Sequence, residues 1–366
     1  MKKEYVTIAL AYVGIIVGAG LSSGQDILQY FLSFGKIGIL GVILLGVLNV
    51  VFGKIMLTFG SYYQSNSHDE VFSKISHPII NKIIDFTLIS GSFIMGFVMV
   101  AGAGSNIHQQ FGLPSWAGAL ICTMLIVAVA FLNFEKIIKV LGVFTPVIIA
   151  IIILVTAYTF IGKKYDFYQL DTVAKTIKPA VSNIWVSVIN YYSLCAITAV
   201  SMAFVLGGSV VRITAARKGG ALGGALIGVI IICAAGYACS FGGFKKLISI
   251  LYPILGYMGI LLLAVLSYAW IREKEGIKIE TFIRRKMIRL QLKKYDDNKE
   301  FTEKDKHTFR KLGEVSIVDT ESIKSDIKEY SKAVAEKVDD LTAFAETRLS
   351  MENAPQILPE SQSISS

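Results

Sequence analysis

A run of small and polar residues interrupts the first apolar stretch of the chain, 11-AYVGIIVGAGLSSGQDILQYF-31. Glycine and serine weaken a helix, and a carboxylate is costly in hydrocarbon. Unwound backbone at the bilayer centre is tolerated only where protein buries it or where it lines a polar cavity. The freed N–H groups would bind an anionic group and the freed C=O groups a cation. The pattern predicts a site for a small zwitterion, formed by Gly18, Ala19, Gly20, Ser22, Ser23, Gly24 and Gln25.

The length of this stretch supports an interruption. A continuous helix over residues 5–32 would be roughly 40 Å long, against a hydrocarbon layer of roughly 30 Å. An alternative is a close-packing face, since Gly14 and Gly18 have GxxxG spacing. That alternative does not account for the polar residues that follow. Asp26 is predicted to act as a gate or coupling residue, unless it lies at the outer interface and is solvated.

A second polar segment, 182-SNIWVSVINYYSLCAITAVS-201, follows five spans later. Transporters built from inverted repeats have interrupted helices in corresponding positions of the two halves. We therefore expect span six to be broken as well, with Ser187, Asn190 and Tyr191 facing the first break. The third span, containing 99-MVAGAGSN-106, is expected to add Gly102 and Asn106 to the site. His108 is either a proton site or an interfacial residue.

Eight apolar segments position these residues, and the apolar segments dominate the composition of the chain. The chain has 366 residues, of which 54% are hydrophobic and 17% charged, with a mean hydropathy of +0.59. A soluble globular protein is thereby excluded. The approximate bounds of the eight apolar segments are 5–32, 37–60, 82–108, 115–133, 140–162, 182–207, 220–239 and 245–271. The distribution of Lys and Arg favours both termini in the cytoplasm of a bacterial cell.

The remaining residues, 272–366, are rich in charge and are predicted to form a cytoplasmic tail. Residues 281–294 are either a basic amphipathic helix on the inner leaflet or a solvated linker. Residues 321–349 have apolar side chains at spacings of three and four, which predicts a helix that packs on a cytoplasmic partner or on a second copy. Helical structure is expected over 272–350 and disorder over 351–366.

Several of these segments resemble one family of bacterial membrane proteins. GAGLSSGQD in span one, AGAG in span three, the Asn-Tyr centre of span six and 241-FGGFKKLISILYPILGYMG-259 are similar to the YkvI family. That family is classed among the amino acid permeases of the amino acid–polyamine–organocation superfamily, with the LeuT-type fold. The resemblance implies an all-α inverted-repeat bundle and a substrate pocket between spans one, three and six. It also implies a sodium site at the backbone of Gly14 and Val17.

The chain departs from that fold in its number of spans, since eight segments replace ten. Two spans are missing between Ala238 and Phe241, and Asp26 stands where the family pattern has Glu. The leading hypothesis is a secondary transporter of an amino-acid-like solute, coupled to Na⁺ or H⁺. The alternative is a transport-incompetent sensor or scaffold that acts through its tail. Enzyme and nucleic-acid-binding functions are not expected, because no catalytic, metal-binding or phosphate-binding motif occurs.

Overall fold

The computed structural model describes residues 2–20, 24–131, 134–160, 167–237, 245–295 and 299–352. In parts of these helices, including 18–20, 24–25, 229–237, 245–251 and 337–352, it describes the backbone alone. Within the described residues, the regular secondary structure is helical, and turns and loops join the helices. The helices are α1 (Lys2–Gly20), α2 (Gly24–Tyr30), α3 (Ile37–Tyr63), α4 (His68–Ile75), α5 (Pro78–Phe111), α6 (Ser115–Ala130), α7 (Phe134–Phe160), α8 (Phe167–Ala174), α9 (Ile184–Gly208), α10 (Ile213–Tyr237), α11 (Lys245–Arg272), α12 (Lys274–Lys294), α13 (Glu303–Val315) and α14 (Thr320–Glu352).

The apolar helices make this chain a membrane protein with several spans. Within the described residues, four helices are long and apolar enough to cross a membrane: α3, α5, α9 and the Tyr252–Arg272 part of α11. Shorter apolar helical stretches occupy Glu4–Val17, Ser115–Val129 and Gly142–Leu154. Each of the eight predicted segments coincides with a helix, or with the pair α1 and α2. The inverted-repeat arrangement stays a prediction.

Glycines allow α3 and α10 to approach closely. Gly220, Gly224 and Gly228 lie one turn apart on α10. A Cβ on Gly224 would lie 2.6 Å from the Cα of Val50 and would also overlap the carbonyl of Asn49. A Cβ on Gly228 would lie 3.1 Å from the Cα of Gly46. Because lipid is as apolar as leucine, such close packing is a main source of association between membrane helices.

The two predicted interruptions have different outcomes. In the first span α1 ends at Gly20 and α2 begins at Gly24, and residues 21–23 lie outside the described residues, so the predicted interruption there stays a prediction. Gly18 and Gly20 themselves are helical, so the glycines lie nearer the helix end than the prediction placed them. The prediction of a broken sixth span is wrong, because α9 is one continuous helix from Ile184 to Gly208. That helix contains no glycine before Gly207, which removes the usual cause of cheap unwinding.

The chain divides into two compact units, Met1–Thr281 and Phe282–Ser366. In the second unit, Lys293 of α12 pairs with Asp305 of α13 at 2.6 Å. A capping box of Thr302 and Asp305 begins α13. Gly313 on α13 lies against the side chains of Lys324 on α14 and Met287 on α12. Residues 281–294, for which a helix and a solvated linker were the alternatives, lie in α12, and the helix predicted for 321–349 is α14. Helix α14 extends through 351–352, which were predicted to be disordered, and 353–366 lie outside the described residues.

Candidate functional site

The site is built around the short helix α2, which follows the end of α1. Asp26 lies in the first turn of α2 and is fully buried, with 0% of its surface exposed. Gln29, Tyr30 and Phe31 follow it and are also buried. A carboxylate withdrawn from solvent among apolar helices is costly unless its surroundings interact with it. Buried ionisable residues inside membrane spans are therefore candidates for a functional site.

Helix α2 is joined to α9 by two polar contacts and two aromatic ones. The Ser187 hydroxyl donates to the carbonyl oxygen of Tyr30 at 2.9 Å. The Tyr30 hydroxyl donates to Oδ1 of Asn190 at 3.4 Å. The ring of Tyr191 lies 5.0 Å from that of Tyr30 and 5.4 Å from that of Phe31, between centroids. These contacts place the predicted residues of span six directly beside the end of the first span.

Helix α11 is the third helix that forms the site, after α2 and α9. Nδ2 of Asn190 donates to the carbonyl oxygen of Pro253 at 2.8 Å. Gly256, one turn further on α11, lies so close to Asn190 that a Cβ there would overlap the side chain and the carbonyl of Asn190. A Cβ on Gly259 would lie 2.5 Å from the carbonyl oxygen of Ser193. Helices α9 and α11 therefore contact each other through glycines of α11 and polar groups of α9.

Asp26 is close enough to Tyr30, Tyr191 and Tyr252 to interact with them electrostatically, and also with the thiol of Cys195. All four are buried. We call Asp26, Tyr30, Ser187, Asn190, Tyr191 and Tyr252 the buried polar cluster. It combines one carboxylate with an amide and several hydroxyl groups, so it is suited to an ammonium group, a proton or a small cation.

The remaining predicted residues are distributed differently. Gly102 is buried on α5, whereas Asn106 and His108 are exposed near its end. Nδ1 of His108 lies 2.8 Å from the carbonyl oxygen of Leu113, so the ring is held at the turn that follows α5. Asn106 and His108 thus lie outside the buried polar cluster, and their roles stay predictions. Gly14 and Val17 lie in α1, and the sodium site implied there is likewise untested.

Some predicted residues cannot be placed in the cluster. Ser22 and Ser23 lie outside the described residues, and only the backbone of Gly18, Ala19, Gly20, Gly24 and Gln25 is described. The segment between Ala238 and Phe241, where two spans were predicted to be missing, is also outside them. Within the described residues, no group of three or more His, Cys, Asp or Glu side chains could hold a metal ion.

Sequence reasoning missed Tyr30 and Tyr252 of the buried polar cluster. It also missed Gly256 and the Pro253 carbonyl, which contact Asn190 of the cluster. The sequence feature that could have indicated the three residues on α11 is 251-LYPILGYMG-259, where a proline and two glycines occur within an apolar stretch. Glycine in such a helix indicates the close approach of another backbone.

The turn after α2 is held by a carboxylate of the short helix α8. Oδ1 of Asp171 accepts from the amide of Lys36 at 2.8 Å, and its other oxygen pairs with Nζ of Lys175 at 2.7 Å. The Lys175 side chain and the Lys36 amide hold the pKa of Asp171 below its ordinary value. Gly35, with φ of 61°, lies against Asp171 in the left-handed region that favours glycine. These contacts fix the position at which the chain turns from the first span into α3.

Comparisons with known proteins support the membrane assignment. The chain is 25% identical over 228 residues to an uncharacterized membrane protein, YkvI, of Bacillus subtilis (strain 168), covering 61% of this chain and 63% of that protein. It is 28% identical over 141 residues to an uncharacterized protein, YyaD, of the same organism, covering 38% of this chain and 40% of that protein. The chain thus matches less than two thirds of the length of either relative. No family model matches the chain. No solved structure matches it either.

Proposed function

We propose that this protein is a secondary transporter for a small solute that carries an amino group, coupled to Na⁺ or H⁺. The observation that carries the proposal is the fully buried Asp26, which lies in the first turn of α2, six residues beyond the described end of α1. Ionisable residues inside membrane spans mark substrate and ion pathways, and transporters bind substrate at mid-membrane beside interrupted helices.

The surroundings of Asp26 also support a ligand role. Asp26 interacts electrostatically with the buried phenols of Tyr30, Tyr191 and Tyr252. Phenol hydroxyl groups can donate to a carboxylate and accept from an ammonium group. The cluster therefore offers hydrogen-bonding groups for the amino end of a solute beside the carboxylate.

The test is uptake by the purified full chain in liposomes, with a mixture of radiolabelled natural amino acids as the probe. We expect uptake when a Na⁺ or proton gradient is imposed, and loss of most of it in Asp26→Asn. Glu275→Gln is the matched control, because Glu275 is an exposed carboxylate on α12 paired with Lys278 at 2.7 Å. Uptake that ignores both gradients, or that survives in Asp26→Asn, would overturn the proposal.

A second candidate function is a sensor or scaffold that acts through its tail. Residues 282–366 form their own compact unit, with three helices joined by the Lys293–Asp305 pair and by the contacts of Gly313. A passive linker would not need such packing. This function predicts binding of an amino acid without flux. It also predicts that the tail captures a protein even when Asp26→Asn abolishes ligand binding.

A further inference from the structure

One face of α12 within the second unit combines an exposed aromatic ring with exposed cations. Phe282 is 61% exposed. Arg285, Lys286 and Arg289 are also exposed and follow it at intervals of three, four and seven residues. These spacings place all four side chains on one side of the helix. The other side is buried and includes Ile283, Met287 and Ile288. We call Phe282, Arg285, Lys286 and Arg289 the basic face.

The charges of the basic face have no counter-ion in the described part of the chain. Ion pairs there engage the neighbouring cations Lys278 and Lys293, at 2.7 Å with Glu275 and 2.6 Å with Asp305, but none of the three cations of the basic face. Nζ of Lys286 lies 6.0 Å from the centroid of the Phe282 ring. The face therefore presents three uncompensated cations beside a large apolar ring.

We propose that the basic face binds the anionic phospholipid headgroups of the membrane surface from which α11 emerges. Helix α12 begins at Lys274, only two residues after α11 ends at Arg272, so the chain keeps it near the membrane. Guanidinium and ammonium groups bind phosphate, and an aromatic ring beside them inserts at headgroup level. The direct chain connection of α12 to α11 favours a lipid surface over a nucleic acid or an acidic protein.

The size of the effect follows from the number of cations. Each Lys or Arg near an anionic surface strengthens association roughly fivefold. Removal of all three should therefore weaken the binding of anionic lipid by roughly 100-fold. The triple variant R285Q/K286Q/R289Q tests this. Its matched control is K304Q/R310Q/K311Q, which removes three exposed cations from α13 of the same unit.

The first measurement is native mass spectrometry of the full chain in detergent, titrated with phosphatidylglycerol or phosphatidylcholine. We expect the wild type and the α13 control to retain phosphatidylglycerol over phosphatidylcholine, and the basic-face variant to lose the preference. Equal retention of the two lipids by the wild type would overturn the proposal. An equal loss in both variants would also overturn it, because binding would then depend on net charge alone.

A second measurement locates the contact and does not depend on the triple variant. Phe282→Cys is introduced with the four native cysteines replaced by alanine, labelled with an environment-sensitive fluorophore and placed in lipid nanodiscs. Emission should increase and shift to the blue in nanodiscs containing phosphatidylglycerol, and the change should fade at high salt. A label that responds to RNA or to an acidic peptide, and not to phosphatidylglycerol, would assign the face to a different partner.

Discussion

Asn190 provides the sharpest test of the buried polar cluster, because it bonds to two other helices at once. Its Nδ2 donates to the Pro253 carbonyl at 2.8 Å, and its Oδ1 accepts from the Tyr30 hydroxyl at 3.4 Å. Asn190→Leu removes both bonds while keeping a side chain of similar size. The substitution therefore measures the polar contacts with little contribution from a cavity.

The expected cost can be derived from these two distances. Interhelical hydrogen bonds in membrane proteins contribute about 0.6 kcal/mol on average and up to about 1.7 kcal/mol. The 2.8 Å bond has good geometry and should be near the upper value, whereas 3.4 Å is long for a hydroxyl donor and should be near the lower one. Asn190→Leu should therefore destabilise the protein by about 2 kcal/mol, roughly a thirtyfold change in the unfolding equilibrium.

The assay is unfolding in mixed micelles by increasing fractions of dodecyl sulfate, followed by circular dichroism. Thr198→Val is the control, because the Thr198 hydroxyl donates to the Cys195 carbonyl of its own helix, at 2.9 Å, and to no other helix in the described part of the chain. It should change stability by less than about 0.5 kcal/mol. In a double-mutant cycle, Tyr30→Phe and Asn190→Leu should couple by about 0.5 kcal/mol. Additive effects, or an Asn190→Leu variant as stable as the wild type, would refute the described contacts.

Two further predictions concern packing and charge. Gly224→Ala should destabilise the protein by about 1–3 kcal/mol through overlap with α3, whereas Gly96→Ala, whose Cβ would have no atom within 4 Å, should not. Equal melting temperatures of the two variants would contradict the glycine contact between α3 and α10. Lys293 and the amide of Thr302 hold the pKa of Asp305 below its ordinary 3.8. A lowered pKa in the folded state stabilises it above pH 3.8, and this stabilisation is lost as pH falls through the lowered value. Lys293→Gln should therefore raise that pKa and remove part of the pH dependence, measured by ¹³C NMR of labelled aspartate with Lys304→Gln as the control. An unchanged titration of Asp305 would show that Lys293 is not its partner.

Apolar periodicity predicted the helices well, because burial in lipid leaves few alternatives to a helix. The polar residues of span six were harder to interpret. Ser187, Asn190 and Ser193 were expected to break the helix, yet each finds a partner without unwinding it: the Tyr30 carbonyl, the Pro253 carbonyl and the Ile189 carbonyl. Two of these partners belong to helices distant in sequence, so the pattern within one span could not reveal them.

An unbroken α9 changes what the site can recognise. Two facing interruptions would offer bare backbone dipoles to both ends of a zwitterion. Here α9 offers side chains instead, and they are neutral at Ser187, Asn190 and Tyr191. On the opposite side, Asp26 occupies the first turn of α2 and opposes the positive end of its dipole, which weakens any attraction for an anionic group. Asp26 is the one carboxylic acid of the cluster, so under the proposed function recognition should depend chiefly on the amino end of the solute. Amines that lack the carboxylate should then compete with amino acids for the site, whereas carboxylic acids that lack the amine should not.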